Sequence, residues 1–167
     1  MTIESDSLEL RFEHAFDIRI NFDMRRRFGP IFSDTNHGYT AIGTDCTVQG
    51  PLLSGRLIDH SGADWPVIRA DGVVELNAHY MIETDDAVLI YLRNLGYVHG
   101  PLRTPEQDPD EAPAIPAYFR CTPYFRAPEG RYGWLNRTVM VGVAKRKPKV
   151  HPADEPDHSL FRYYVIR

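Results

Sequence analysis

An aspartate and a tryptophan stand side by side in the segment Gly62-Ala63-Asp64-Trp65. A carboxyl group held against an indole ring is partly removed from water, which raises its pKa and lets it act as an acid or a base near neutral pH. Asp64 also precedes Pro66, so the backbone is restrained here and the side chain can be aimed. Asp64 is therefore a candidate for proton transfer. The alternative is that Asp64 caps a turn while Trp65 closes one end of the fold.

Two further side chains have the chemistry to hold a negatively charged oxygen. Arg120 could bind a carboxylate or an enolate through two parallel hydrogen bonds, or could form a structural ion pair with an acid. The amide of Asn136 could hold a carbonyl oxygen, or could anchor a turn. Together with Asp64, these residues form the predicted catalytic set.

Small-molecule sites combine aromatic walls with a few polar groups. The residues expected to bind the substrate on this basis are Trp65, Arg69, Tyr80, Tyr91, Tyr118 and Trp134. The run Arg25-Arg26-Arg27 is most simply solvated, with a grip on an acidic substrate as the alternative. Asp85-Asp86 has the chemistry of a hairpin turn.

Other kinds of chemistry lack their motifs in this sequence. There is no G-x-S-x-G, no phosphate-binding loop and no G-x-G-x-x-G after a strand. The seven histidines lack ligand spacings such as H-x-H or H-E-x-x-H, so no metal site is predicted. The sequence therefore predicts no cofactor.

The elements that would position these residues are strands. Apolar and polar residues alternate over 8–23, where His14 is the single break in the apolar face, and over 73–84, which is the pattern of half-buried strands. In the second segment the even-numbered residues from Val74 to Thr84 should point inward. Residues 24–45 are interpreted as a connection because Gly29-Pro30 and a Ser-Asp-Thr-Asn cluster favour turns.

Further strands are predicted at 46–58, 66–69, 87–94, 118–126, 132–144 and 159–166. In 118–126 and 132–144 we expect Tyr118, Arg120, Trp134 and Asn136 to point inward. Without a convincing amphipathic helix, these strands indicate an all-β fold, a single antiparallel up-and-down β-barrel over residues 1–167. A Pro- and acid-rich loop at 100–117 interrupts it, with the length of a lid.

Composition limits the partners. A net charge of -4 gives no case for nucleic acid, and no apolar run is long enough to cross a bilayer. MTIESDSLEL lacks the features of a signal peptide, so a cytoplasmic protein with two reduced cysteines is expected. Strands 87–94 and 135–143 are apolar on both faces, which predicts a homo-oligomer, a dimer or larger.

Several segments resemble the family catalogued as domain of unknown function 3237 (DUF3237), over residue 8 to the end. The segments are GADWPVIRADGVVELNAHYMIETDDAVLIYLRN, YFRCTPYFRAP and YGWLNRTVMVGVAKRKP. The resemblance implies a lipocalin-like or calycin-like β-barrel with no assigned general activity. The sequence departs from the usual pattern at Ala87, where glycine is frequent, at Cys121, where threonine is common, and at Arg126-Ala127-Pro128.

These observations support a cofactor-independent enzyme that binds a small, partly apolar carbonyl compound in the barrel. The reaction would be a proton transfer: isomerisation, cyclisation, or dehydration and hydration. One alternative is a lipocalin-type carrier without chemistry, because fold does not imply function. Another is a structural subunit. An enzyme requires a cavity with convergent polar groups, a carrier an apolar cavity, and a structural subunit a filled barrel.

Overall fold

The structure, a computed structural model, describes residues 8–100 and 116–167, so the predicted loop at 100–117 lies almost entirely outside the described residues. The strands are β1 (Phe12–Phe32), β2 (Thr35–Ile42), β3 (Thr47–Gln49), β4 (Gly55–Leu57), β5 (Ala63–Asp64), β6 (Val67–Ile68), β7 (Val74–Thr84), β8 (Leu89–His99), β9 (Tyr118–Arg126), β10 (Met140–Lys147) and β11 (His158–Ile166). A 3₁₀ helix spans Gly133–Arg137. In the described ranges, no helix is long and apolar enough to cross a membrane.

The strands form one antiparallel sheet that closes on itself. Strands β7 to β11 pair in chain order, β11 pairs with β1, and β1 pairs with β2. β2 returns to β7 through the short strands β5 and β6. The prediction of an all-β antiparallel barrel is therefore confirmed.

Alternation along β7 places its even-numbered residues inside the ring, as the sequence predicts. Ala78, Tyr80, Ile82 and Thr84 are buried, whereas the odd-numbered residues between them are partly exposed. β7 ends in the predicted turn at Asp85-Asp86. Ala87 completes that turn with a φ of 62°, a left-handed conformation that glycine adopts without strain.

The first strand departs from its predicted alternation at one point. The pairing of β1 with β11 shifts between His14 and Phe16, which is the signature of a β-bulge. The bulge reverses which residues face inward, because one extra residue inverts the parity of the strand. Phe16 is therefore fully buried, while Phe12 is 58% exposed and His14 bonds the exposed-side Asp17.

The interpretation of residues 24–45 as a connection was wrong. β1 continues to Phe32, turns at Ser33-Asp34 and returns as β2, so the segment is a long hairpin, here called the β1–β2 arm (residues 23–37). Residues 23–32 have mostly exposed side chains, and Arg25 is the residue of this stretch that reaches the lining of the barrel interior. A strand that buries neither face carries no apolar period, so alternation could not reveal it.

For residues 118–126 and 132–144, the prediction of which side chains point into the barrel was also wrong. In β9 the buried residues are Phe119, Cys121, Pro123 and Phe125, so Tyr118 and Arg120 point outward. β9 carries aromatic residues at both odd and even positions, and alternation alone does not select between them. Residues 133–137 form the 3₁₀ helix instead of the first half of a strand, which removes Asn136 from the barrel wall.

Candidate functional site

A cavity of about 210 Å³ lies inside the ring of strands. Most of its wall is apolar: Ile20, Phe22, Ile42, Pro66, Val74, Leu76, Ala78, Val98, Phe119 and Phe161. The polar side chains of the wall are Arg25, Thr40, Asp64, Tyr80, Asn94, Arg146 and Ser159. An apolar cavity with a few convergent polar groups has the usual composition of a small-molecule site.

Strand pairing explains why four of these polar residues lie at one level of the barrel. Arg25 pairs with Thr40, Thr40 pairs with Asp64, Asp64 pairs with Ala78, and Ala78 pairs with Asn94. Residues directly opposite each other on neighbouring strands point to the same face of a sheet. Arg25, Thr40, Asp64 and Asn94 therefore form a row across the inner wall.

Asp64 is the acid of this row. Its Oδ1 accepts a hydrogen bond of 2.9 Å from the backbone N–H of Asn77. Burial raises the pKa of the Asp64 carboxyl from 3.8 to about 6, against the opposing effects of the Asn77 hydrogen bond and the charge of Arg25. Both the carboxylate and the carboxylic acid are therefore accessible near neutral pH.

Two arginines at the cavity share one carboxylate. The Nε of Arg25 and a terminal nitrogen of Arg146 each donate to Oδ2 of Asp157, both at 2.9 Å. Burial, followed by the charge of Arg146, lowers the pKa of Arg25 from its usual value. The guanidinium of Arg25 also lies 4.3 Å from the centre of the Phe22 ring. The pair is thus held in place by one acid and one aromatic ring.

Tyr80 and Asn94 contribute shape and polarity deeper in the wall. Tyr80 is almost fully buried, and burial raises the pKa of its phenol well above the usual value, so the hydroxyl stays protonated. Asn94 is 1% exposed. Ser159 is the second residue of β11 and pairs with both Ile20 and Arg146. These groups can donate or accept hydrogen bonds but carry no charge.

The structure does not bring together the three predicted catalytic residues. Asp64 faces the cavity, but Arg120 lies on the outer face of β9, with its guanidinium 5.2 Å from the centre of the Tyr118 ring. Asn136 anchors a turn: its side chain accepts from the N–H of Ala127 at 2.9 Å and donates to the Ala127 carbonyl at 2.8 Å. The expected convergence was therefore wrong, because β9 has the opposite parity and Asn136 is not in a strand.

Of the predicted substrate-binding residues, Tyr80 alone lines the cavity. Trp65 is 43% exposed and lies on the outer wall against Tyr39 and His79, rather than on the barrel floor or inner wall. Tyr91 lies outside too, where its hydroxyl is 2.5 Å from Nδ1 of His79.

The remaining predicted residues also lie away from the cavity. Arg69 pairs with the exposed Asp71 and Glu75, and Tyr118 is 38% exposed and stacks on His99. Trp134 packs from the 3₁₀ helix against the core. Residues that are adjacent in an extended segment point to opposite faces of the barrel wall, as Asp64 and Trp65 do.

Sequence reasoning missed several cavity residues that had usable signals. Asn94 follows Ile90 and Leu92 on the inward face of β8, and Ser159 precedes Phe161 and Tyr163 on the inward face of β11. A polar residue that continues an apolar inward face is a sign of a lined cavity. The sequence suggested Arg25 only through the alternative interpretation that the run Arg25-Arg26-Arg27 grips an acidic substrate. Its strand lacks alternation, so no inward face was predicted for it.

Across residues 8–100 and 116–167, the structure shows no group of three His, Cys, Asp or Glu side chains that could hold a metal ion. The two cysteines, Cys46 and Cys121, are free and buried. Burial raises the pKa of the Cys121 thiol to about 11, so it is a poor nucleophile at neutral pH. Asp64 and the two arginines remain the reactive groups of the cavity.

Comparisons with known proteins agree with this architecture. A UPF0311 protein of Rhodopseudomonas palustris is 36% identical over 101 residues, which are 59% of this chain and 65%, less than two thirds, of the relative. The crystal structure of a conserved protein of unknown function from that organism has a TM-score of 0.79 at 26% identity, covering 95% of this chain and 99% of that chain.

Two other solved structures share the fold. A β-barrel-like protein of Acinetobacter baumannii has a TM-score of 0.75 at 26% identity, covering 95% of this chain and 97% of that chain. A Penicillium herquei protein described as an enzyme has a TM-score of 0.64 at 19% identity, covering 95% of both chains, and shows the fold alone. A family model described as a protein of unknown function, DUF3237, matches residues 10–166, and the chain belongs to that family.

Proposed function

We propose that the barrel binds a small, largely apolar carbonyl metabolite and that Asp64 moves a proton on it without a cofactor. The observation that carries the proposal is a carboxyl group with a pKa of about 6 that faces a mostly apolar cavity, which the side chain of Arg25 also lines. A group with a pKa near the working pH is an effective general acid or base. Isomerisation, cyclisation, and addition or elimination of water all need such a group.

The size of the cavity limits the substrate. At about 210 Å³, the space is smaller than the roughly 300–1,000 Å³ of pockets that hold drug-sized ligands. The ligand should therefore be a compact molecule with few polar atoms, because the apolar residues dominate the wall.

The row of polar residues supplies one side chain for the proton transfer and another for the negative charge that develops on the substrate. The Asp64 carboxylate would take a proton from the carbon next to the substrate carbonyl, and the electron pair of that C–H bond would move onto the carbonyl oxygen. Arg25, two strands away in the same row, would stabilise the resulting enolate by charge. Asp64 would then return the proton to a different atom, which completes an isomerisation.

Carrier function is the second candidate, and the mostly apolar lining favours it. The same cavity could hold an apolar ligand without reacting with it. The two functions differ in one observable, which is whether a bound ligand exchanges protons with the solvent.

Proton exchange can be tested before the substrate is known. The protein is incubated in D₂O with a mixture of small carbonyl metabolites, and mass spectrometry detects any metabolite that gains a deuteron. We expect the wild type to label at least one metabolite and Asp64→Asn to slow that labelling by about 100-fold or more. Asp45→Asn, which removes an exposed carboxylate, is the matched control and should label normally.

Two outcomes would contradict the proposal. Labelling that continues unchanged in a folded Asp64→Asn protein would exclude Asp64 as the acid or base. A metabolite that the wild type retains through gel filtration, but never labels, would assign the carrier function instead.

A further inference from the structure

We infer that this cavity selectively binds a singly charged oxyanion on an apolar body, such as a carboxylate or an enolate, and that this binding is linked to protonation of Asp64. The inference rests on the proposed function in one respect, which is that this cavity is the ligand site. It does not require that the bound molecule reacts.

The first argument is the balance of charge at the cavity. Arg25 and Arg146 bring two positive charges, and both donate to the same oxygen of Asp157. One carboxylate neutralises one of them. The second positive charge can be balanced by ionised Asp64 or by an anionic ligand.

The second argument is the supply of donors. Arg25 uses its Nε for Asp157, and Arg146 uses one terminal nitrogen; within the part of the chain that the structure describes, their other guanidinium nitrogens make no side-chain hydrogen bond. Arg26 lies beside Arg25 but donates to a backbone carbonyl. Guanidinium groups with free donors are well suited to carboxylate and enolate oxygens.

The third argument is the competition between two anions. The charged or ionisable residues that line the cavity with Asp64 are Arg25 from β1, Tyr80 from β7 and Arg146 from β10, while Asp157 lies behind the arginines. The facing residues of β2, β8, β9 and β11 are uncharged: Thr40, Ile42, Asn94, Val98, Phe119, Ser159 and Phe161.

An anionic ligand and an ionised Asp64 would repel each other in this poorly solvated space. The ligand should therefore bind to the protein with Asp64 neutral. Because burial raises the Asp64 pKa to about 6, ligand binding near pH 8 must take up a proton, whereas binding at pH 5 needs almost none. Affinity should fall as the pH rises.

The proposed reaction reaches this same charge state. Removal of a proton from a neutral ligand by Asp64 leaves a ligand anion and a neutral carboxylic acid in the cavity. A stable oxyanion therefore resembles the intermediate and should bind better than a neutral analogue of the same shape.

Benzoate and benzamide provide the test, since they are similar in shape and differ in charge. Their affinities are measured by isothermal titration calorimetry at four pH values from 5 to 8. We expect the wild type to bind benzoate more tightly than benzamide below pH 6, and its benzoate affinity to fall about tenfold for each pH unit above 6. Benzamide affinity should not change. Repeating the titration in buffers with different ionisation enthalpies should show about one proton taken up at pH 8.

Two variants test separately the contribution of Asp64 to the pH dependence and the contribution of Arg25 to anion binding. Asp64→Asn should bind benzoate with nearly constant affinity from pH 5 to 8 and, at pH 8, up to about 100-fold more tightly than the wild type. Arg25→Gln should weaken benzoate binding by about tenfold or more and leave benzamide unchanged. Asp45→Asn is again the control.

Three results would overturn the inference, and none depends on whether a variant folds. They are equal affinity of the wild type for benzoate and benzamide, a benzoate affinity that is constant between pH 6 and 8, and no detectable binding of millimolar benzoate at pH 5. Deuterium exchange is measured separately. Linked benzoate binding without exchange would identify an anion carrier, and exchange without benzoate binding would leave the proposed proton transfer standing.

Discussion

At the scale of the residue, Asp64 has a poorly solvated carboxyl group that a hydrogen bond from the backbone N–H of Asn77 holds in place. The sequence singled out Asp64 as a candidate for proton transfer, and the structure places this residue at the cavity through its pairing with Thr40 and Ala78. The sequence raised Arg25 only as part of the alternative interpretation of Arg25-Arg26-Arg27, and it did not reveal the sharing of Asp157 by two arginines. Arg25 and Asp157 are 132 positions apart in the chain, and no local pattern encodes their contact.

The raised pKa of Asp64 has a cost in stability whose size depends on pH. Because the folded protein holds this proton up to about pH 6 and the unfolded chain releases it near 3.8, the carboxyl favours folding fully only below pH 4 and loses that contribution as the pH rises through 6. Asp64→Asn cannot ionise and keeps an oxygen for the N–H of Asn77. We expect the variant to be more stable than the wild type at pH 8, by about 2 kcal/mol, with little difference at pH 4.

Chemical denaturation at the two pH values checks this expectation, with Asp45→Asn as the control for the loss of one negative charge. A variant less stable than the wild type at pH 8 would show that the Asp64 carboxylate is favourably solvated or paired. If Asp64→Asn is instead more stable than the wild type at pH 8, the Asp64 carboxyl lowers the stability of the fold. Its role would then be one other than folding.

At the scale of the element, the wall that carries Asp64 depends on a close approach of two strands. A Cβ placed on Gly62 would overlap the carbonyl oxygen of His79 in β7, so β5 and β7 could not keep their present spacing. Gly62→Ala should therefore destabilise the fold by about 1–3 kcal/mol and should displace Asp64 from the row. Thermal denaturation and benzoate titration measure the two effects.

Gly133→Ala is the matched control for this substitution. Its added Cβ would have its nearest neighbour at 3.8 Å, an ordinary contact, and its 3₁₀ helix lies outside the wall. We expect no loss of stability or binding in that variant. Equal behaviour of the two variants would contradict the close approach at Gly62.

Elements with one buried face were the part of the fold that the sequence predicted well. β7 appears where alternation placed it, because burial on one side produces a period of two, and β11 appears at the predicted residues 159–166 with one residue added at its start. The β1–β2 arm and the bulge in β1 were not predicted. The arm has no buried face to create a pattern, and the bulge changes the parity without changing the composition.

At the scale of the whole molecule, the outer face of the barrel carries apolar side chains that a monomer would leave in water. Leu95 and Tyr97 of β8 are 37% and 52% exposed, and Tyr118 of β9 is 38% exposed. The sequence expectation of a homo-oligomer stays a prediction, and this face is its proposed interface. Light scattering at micromolar concentration should give a multiple of 19.1 kDa.

Charged substitutions locate the interface. The double variant Leu95→Glu and Tyr97→Glu should give the monomer mass, because each assembly would bury unpaired carboxylates. Phe32→Glu, at the 80%-exposed tip of the β1–β2 arm, should not alter the mass. A wild-type protein that is monomeric at all concentrations would show that these side chains have another role.

The closure of the ring through β5 and β6 gives the barrel an uneven resistance to local opening. Ten residue pairs join β7 to β8, whereas β5 is joined by only two pairs to β2 and two to β7. Segments with few backbone hydrogen bonds open at lower free energy than the rest of a fold. The short strands β5 and β6, which complete the wall beside the cavity, are therefore expected to open at lower free energy than the long pairing of β7 with β8. Because Asp64 lies in this weakly paired part of the wall, a substitution that loosens β5 should also displace the carboxyl group from the cavity.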